Sequence, residues 1–258
     1  MSSEPIEPKP VAQMGVTEEF NALTSSVVLA GWKTGPLVEA ELQFEDLKLR
    51  PAGMLQRAGK NSAEVWVTAT NLAVVVKRAD RVARIPGVEI DPERELRNEA
   101  AAYRVAEALG WTDLVPPTVY RRVPTTTGWV PASVQLFVPG AHHDDLFGAD
   151  EEQTRRAAIF DYVIGAKDRL PRNWMFVKTS GIKKFVLIDN GWSFSYPRAR
   201  PPRSAIWNTY GYKAHSLEPG GLRVPENAVA EVRSRLYGLI SSAEIEDVIV
   251  RMRLFTSA

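Results

Sequence analysis

Between Phe160 and Gly191 the chain reads FDYVIGAKDRLPRNWMFVKTSGIKKFVLIDNG, a helix end that runs into two β-rich runs around Ser180-Gly181. Alternating apolar residues on each side of a small, turn-forming pair predict a tight antiparallel hairpin over residues 173–189. If the turn is centred on Gly181, Asn173 and Asp189 are equidistant from it and come side by side at the open end. Asp168 lies just upstream, in the loop that joins the helix to the hairpin. Taken singly, each of these residues fits a turn or a cap. Taken together they offer two carboxylates and an amide carbonyl, hard oxygen ligands suited to Mg²⁺ or Mn²⁺ sharing a nucleotide's phosphates.

The rest of the chain supplies a context for that reading. AEVWVTATNLAVVVKR (63–78) is a second predicted hairpin around Thr70-Asn71, placing Lys77 at a strand end. The loop before it, LQRAGKNSA, carries Gly59 and small polar residues whose backbone N–H groups can face an anion. A helix follows, with Asp91 as cap, Pro92 in the first helical position and Gly110 as its stop. Leu96, Ala100 and Tyr103 make its apolar stripe, and Glu99 lies on the same face. A glutamate on a buried face calls for a cation.

Two β-rich runs around TTTG then give residues 60–138 the pattern hairpin, helix, strands. After Pro139-Gly140 the chain turns helical: Asp150 and Gln153 are spaced as a capping box, as are Ser241 and Glu244 near the C-terminal end. The expected architecture is α+β with two lobes. Residues 1–15, with Pro5, Pro8 and Pro10, read as a tail; 16–139 as an N-lobe with an N-terminal extension; 140–258 as a C-lobe. No role is assigned to 16–55.

Composition removes several function classes. At 258 residues and 45% hydrophobic content a substantial core is expected. A formal charge of +1 gives no bulk attraction to nucleic acid or an anionic membrane. The absence of cysteine excludes thiolate nucleophiles and Cys-based zinc sites and fits a reducing compartment. No apolar run is long enough for a membrane span, and the first residues lack the pattern of an export signal, so a soluble, cytoplasmic protein is expected.

Phosphoryl transfer requires a phosphate-binding lysine held by a helix glutamate, a metal-holding Asp and Asn, and an aspartate near the attacking hydroxyl. Lys77, Glu99, Asp168, Asn173 and Asp189 occur in that order. DRLPRN and LIDNG resemble the corresponding segments of phosphoinositide 3- and 4-kinases and their bacterial relatives. FDYVIGAKDR and DNGWSF are similar to those of the atypical secretory-pathway protein and sugar kinases, and NEAAAYRVAEALGW and SVQLFV to the N-lobe of bacterial phosphoinositide-kinase-like proteins.

The resemblance covers roughly residues 60–207 and implies a two-lobed protein-kinase-like fold, with a small β-rich N-lobe carrying one helix and a mainly helical C-lobe. It implies ATP and Mg²⁺ or Mn²⁺ as cofactors and a hydroxyl-bearing acceptor. Asp168 would be the base, Asn173 and Asp189 the metal ligands, Lys77 and Gly59 phosphate contacts, with Glu99 orienting Lys77. Gln135 and Phe137 would offer backbone groups to adenine where the chain crosses between lobes.

The chain also departs from these families. Leu170 stands where a histidine is usual, Ala166 where an asparagine is common, and no activation loop is evident. An AMP-transferring enzyme on the same fold and a non-catalytic nucleotide-binding module are therefore the alternative expectations. Arg169 is expected to pair internally and Asp161 to brace the loop through backbone N–H groups. His142 and His143 read as a solvated loop, and YPRARPPR (196–203) as a proline-rich surface loop.

Overall fold

The computed structural model describes residues 50–54, 63–68, 72–82, 91–138, 141–179, 182–195, 202–214 and 223–256. Gly59, the Thr70-Asn71 and Ser180-Gly181 turns, Pro139-Gly140, most of 196–203 and nearly all of 1–55 lie outside them.

The first strands are β1 (Arg50–Met54), β2 (Ala63–Val67) and β3 (Ala73–Arg78), followed by helix α1 (Pro92–Ala108) and strands β4 (Thr118–Thr125) and β5 (Gly128–Leu136). The strands form one antiparallel sheet in the order β1-β2-β3-β5-β4. Its β-branched residues Val74, Val76, Val119 and Val134 bury one face together with Leu136 and Trp66. Asp91 caps α1 by accepting from the backbone N–H groups of Glu93 and Arg94. The buried alanines Ala100, Ala101, Ala102 and Ala106 let this helix approach its neighbours closely on several sides.

The second half consists of α2 (Glu151–Ile164), the hairpin β6 (Trp174–Thr179) and β7 (Ile182–Leu187), α3 (Ala205–Ala214), α4 (Glu226–Leu236) and α5 (Ser242–Arg253). Phe160, Phe176, Phe185, Val248 and Met252 belong to a core that α1 shares through Tyr103 and Val105. Helix α3 and strand β1 carry signals too weak for the sequence to reveal. At α5 the capping box of Ser241 and Glu244 is complete. At α2 only half of one forms: Asp150 accepts from Gln153 N–H, while the Gln153 side chain bonds Asp113 and the Phe185 backbone. Burial redirects that amide to satisfy a strand N–H.

The register of β6 and β7 differs from the symmetry expected about Gly181. Trp174 pairs with Leu187 and Thr179 with Ile182, so the residue opposite Asn173 is Ile188, whose N–H donates to Asn173 O at 3.2 Å. A connection of two residues in place of one moves the centre by half a residue. Asp189 therefore lies two positions beyond Leu187, the last residue of the ladder. His142 and His143 are exposed, as a solvated loop requires, and the loop is tied to β6: His142 exchanges backbone hydrogen bonds with Phe176, and His143 Nδ1 lies 2.9 Å from Trp174 O.

Gly165 ends α2 in the left-handed region, φ 59°. A Cβ there would overlap the guanidinium of buried Arg251, which would have to shift. Gly165→Ala should cost about 2–4 kcal/mol, combining left-handed strain with overpacking. Urea unfolding of the purified variant tests this, and a loss under about 0.5 kcal/mol would contradict it.

Candidate active site

Lys77 lies on β3, a strand inside the sheet, so its backbone is fixed from both sides. Its ammonium pairs with Glu99 Oε1 and, at 2.8 Å, with Asp189 Oδ1. The other oxygen of Glu99, Oε2, accepts from Asn190 N–H at 2.9 Å. One buried α1 carboxylate thus ties β3 to the segment after β7.

Asp189 has φ 57°, a left-handed conformation that an aspartate tolerates better than most residues. The neighbouring bonds over-determine it. This turn at the strand end directs the carboxylate toward Lys77 and leaves it half-exposed.

Asp168 and Asn173 bracket a short loop closed by a 3₁₀ turn, Pro171–Asn173. The Asn173 amide donates to Asp168 O at 2.5 Å and lies 3.4 Å from its Oδ2. Arg172 holds both Asp168 carboxylate oxygens, at 2.8 and 3.1 Å. Beneath the loop, Arg169 is almost wholly buried. Its Nε donates to Asp161 at 3.0 Å, its Nη1 to the carbonyls of Asn173 and Ile188 at 2.7 and 2.6 Å, and its Nη2 to Asn190 Oδ1. Asp161 also accepts from Ser204 Oγ at 2.6 Å. Arg169 does pair internally, while Asp161, among the described residues, braces the loop through two side chains and not through backbone N–H groups. That guanidinium, absent from the expected site, sets the spacing of the loop, β6 and β7.

Helix α1 holds the same region by further bonds. Asn98 donates to the carbonyls of Gly191 and Ser193 at 2.8 and 3.1 Å, and Trp192 Nε1 donates to Glu95 at 2.8 Å. Gly191 fits closely: a Cβ would come 3.3 Å from Glu95 O.

Gln135 and Phe137, the two residues expected at the adenine end, each make a hydrogen bond within the sheet. Gln135 lies on β5 between two strands and its side chain donates to Thr118 Oγ1 at 2.9 Å. Phe137 N–H donates to Ala73 O at 3.0 Å, so it extends the sheet.

The Lys77 charge holds the Asp189 carboxyl below its ordinary 3.8, against the opposing effect of burial. Burial alone would lower the Lys77 pKa, but Asp189 and Glu99 together outweigh it and carry the group above its ordinary 10.5. A depressed carboxyl stabilises the fold above its unfolded value and loses that contribution as pH falls; a raised ammonium stabilises below its unfolded value and loses it as pH rises. The stability difference between wild type and Lys77→Met should thus be constant from about pH 5 to 9 and shrink beyond both ends. Denaturant titration across pH tests this, and a steady slope through neutrality would contradict it.

No family model matches the sequence, and no curated protein sequence matches it. Among solved structures, a Golgi casein kinase aligns over 86% of this chain and 74% of its own, with TM-score 0.56 and 13% identity. The Golgi casein kinase with Mn/ADP bound gives TM-score 0.53 at 13% identity, over 86% and 75% of the two chains. A proinflammatory kinase of Helicobacter pylori, CtkA, aligns over 81% of this chain and 91% of its own, at 11% identity and TM-score 0.45. At 13% identity the likeness to the two Golgi casein kinase structures speaks for the fold. The chain has an atypical kinase-like, two-lobed α+β fold, with a small β-rich lobe carrying one helix and a mainly helical second lobe. No helix among the described residues is long and apolar enough to cross a membrane.

Proposed function

We propose that the chain is a kinase that moves the γ-phosphoryl group of ATP to a hydroxyl of a protein, lipid or small molecule. The observation that carries this reading is the junction of Lys77, Glu99 and Asp189, made by a strand, a helix and a post-strand turn in a kinase-like fold. Lys77 would bind ATP phosphates and Glu99 would hold it in place. Asp168 would accept the acceptor's proton as its oxygen bonds to phosphorus, the γ-phosphorus–oxygen bond to ADP breaks, and ADP leaves. Gly59 would contact phosphate, and backbone groups at and beyond Phe137 would meet adenine.

The donor set fits a divalent cation. Asp189 offers a half-exposed carboxylate, and the Asn173 amide, whose nitrogen is fixed on Asp168 O, offers its oxygen. Among the described residues no group of three or more His, Cys, Asp or Glu side chains builds a cation cage. Nucleotide phosphates and water would complete the shell, as Mg²⁺ and Mn²⁺ prefer. When bound, such an ion neutralises charge between the β- and γ-phosphates. Relatedness to phosphoinositide kinases and a cytoplasmic location belong to the same reading.

A second reading, a nucleotide-binding module without turnover, is favoured by one contact: Arg172 occupies both oxygens of Asp168, while exposed Leu170 replaces the expected histidine. Incubation with α- and γ-labelled ATP in Mn²⁺, beside a thermal shift, separates the cases. Transfer of the γ label alone is the expected result, and transfer of the α label means AMP transfer. Thermal stabilisation without transfer leaves the binding module; neither stabilisation nor transfer sinks all three.

A further inference from the structure

Arg172 reaches the candidate base with a single nitrogen. Its Nη2 lies 2.8 Å from Asp168 Oδ2 and 3.1 Å from Oδ1, and the Asn173 amide approaches Oδ2 as well, at 3.4 Å. The other guanidinium nitrogens of Arg172, Nε and Nη1, make no hydrogen bond among the described residues. Its side chain is 64% exposed, against 33% for Asp168. The pair is therefore a weak surface contact, and an open edge of the guanidinium can take two oxygens of another anion. A hydroxyl approaching the edge of the carboxylate that Arg172 bridges has to displace it.

Positive charge continues along the same loop. Lys167 N–H donates to Trp192 O at 3.1 Å; Arg203 N–H donates to Ala166 O at 2.8 Å and its carbonyl accepts from Arg169 N–H at 3.2 Å. Both residues are thus fixed beside Asp168 through their backbones. The Lys167 ammonium sits close enough to Arg94 and Arg203 for their charges, after burial, to disfavour its protonated form. Among the described residues no carboxylate pairs with the side chain of Lys167 or Arg203, while acids on neighbouring elements are engaged elsewhere: Glu244 with Arg94, Glu95 with Trp192 Nε1, Asp189 with Lys77. With Arg169 spent on Asp161, the loop sets Lys167, Arg172 and Arg203 against the one charge of Asp168. Such a surface favours a second anion.

We propose that Arg172 is a latch on Asp168 which the acceptor opens: the acceptor carries an anionic group beside its hydroxyl, a phosphate or a carboxylate, that draws Arg172 away and exposes the base. The inference rests on the kinase reading and deepens it. With the latch closed, Arg172 obstructs activation of water. With it open, Arg172, Lys167 and Arg203 hold the anion, the hydroxyl proton passes to Asp168, the hydroxyl oxygen bonds to the γ-phosphorus, and the bond to ADP breaks. The contact that favours a module without turnover is then a resting state. Arg172 acts through Asp168, as a positioning residue that also selects the acceptor.

ATP hydrolysis by the full chain in Mn²⁺ reads the latch without knowledge of the acceptor. In that reaction the proton of water passes to Asp168, its oxygen bonds to the γ-phosphorus, phosphate and ADP leave, and Asp168 returns the proton to solvent. Methylphosphonate and acetate serve as anions without an alcohol group, and acetamide as the neutral control. Hydrolysis by wild type should rise saturably with at least one anion, by about two- to tenfold, the range a surface ion pair can hold back, and not with acetamide. Methylphosphonate against acetate tells a phosphate from a carboxylate acceptor.

Arg172→Gln should hydrolyse ATP faster than unstimulated wild type by a similar factor and gain nothing from either anion. Lys167→Gln and Arg203→Gln should each raise the anion concentration for half-stimulation several-fold. Damage to the fold would lower hydrolysis in Arg172→Gln, the opposite sign, and its unfolding midpoint should stay close to wild type. Hydrolysis in Arg172→Gln at or below the wild-type rate overturns the latch. Stimulation that survives in Arg172→Gln overturns the part of Arg172 in holding the anion, and no stimulation of wild type by either anion overturns the anionic acceptor. All three results leave the kinase reading standing, because hydrolysis is observed. No hydrolysis in wild type or Arg172→Gln, with anions present, sinks the kinase reading and this inference with it.

Discussion

Phosphotransfer should fall roughly 10²- to 10³-fold or more in Asp189→Asn, with the fold intact. The substitution removes one negative charge and keeps an oxygen acceptor for Lys77. Asparagine also tolerates the left-handed backbone that Asp189 adopts, so the turn survives. What is lost is the half-exposed carboxylate that would hold the cation. Asp168→Asn should give a similar loss for another reason, since an amide cannot accept the acceptor's proton. Its pair with exposed Arg172 is a surface contact worth about 0–1 kcal/mol, so stability barely changes. Matched γ-label transfer and unfolding curves for the two variants are the measurement, and undiminished transfer in either would remove that residue from its role.

The largest effect on stability is expected at a residue that touches no ligand in this scheme. Arg169→Met should destabilise the fold by about 3–5 kcal/mol. It would leave the Asp161 carboxylate buried beside Ser204 without its cation, and deprive Asn173 O and Ile188 O of a donor. Burial already raises the Asp161 pKa despite the pull of Arg169, so the uncompensated ion is costly. Arg169→Lys should recover little, because a single ammonium cannot span Asp161, two carbonyls and Asn190. Thermal and denaturant unfolding tests both, and a midpoint close to wild type for Arg169→Met would show that the network is not what holds the loop.

Much of this was legible in the sequence because the signals were local. Asp91, Pro92 and Gly110 bounded α1; alternation bounded β2, β3 and the β6–β7 hairpin; Ser241 and Glu244 marked the start of α5. Placing Glu99 on the apolar face of α1 implied a cationic partner, and the structure pairs it with Lys77. The hairpin register differs from the expected one by half a residue, since alternation fixes faces but not the number of residues in a turn. The sheet bonds of Gln135 and Phe137 were not legible, because whether β5 lies inside the sheet or at its edge depends on β3, distant in sequence. Ser204 gave no signal either: its bond to Asp161 spans a proline-rich segment with no periodicity.

The three bonding points from α1 to residues 190–193, made by Glu95, Asn98 and Glu99, have a mechanical consequence. In many two-state switches a helix swings out while the loop beside it stays behind. Here the attachments are distributed over more than one helical turn, so helix and loop form one lever. An inactive conformation of this chain would have to displace both together or break all three attachments at once.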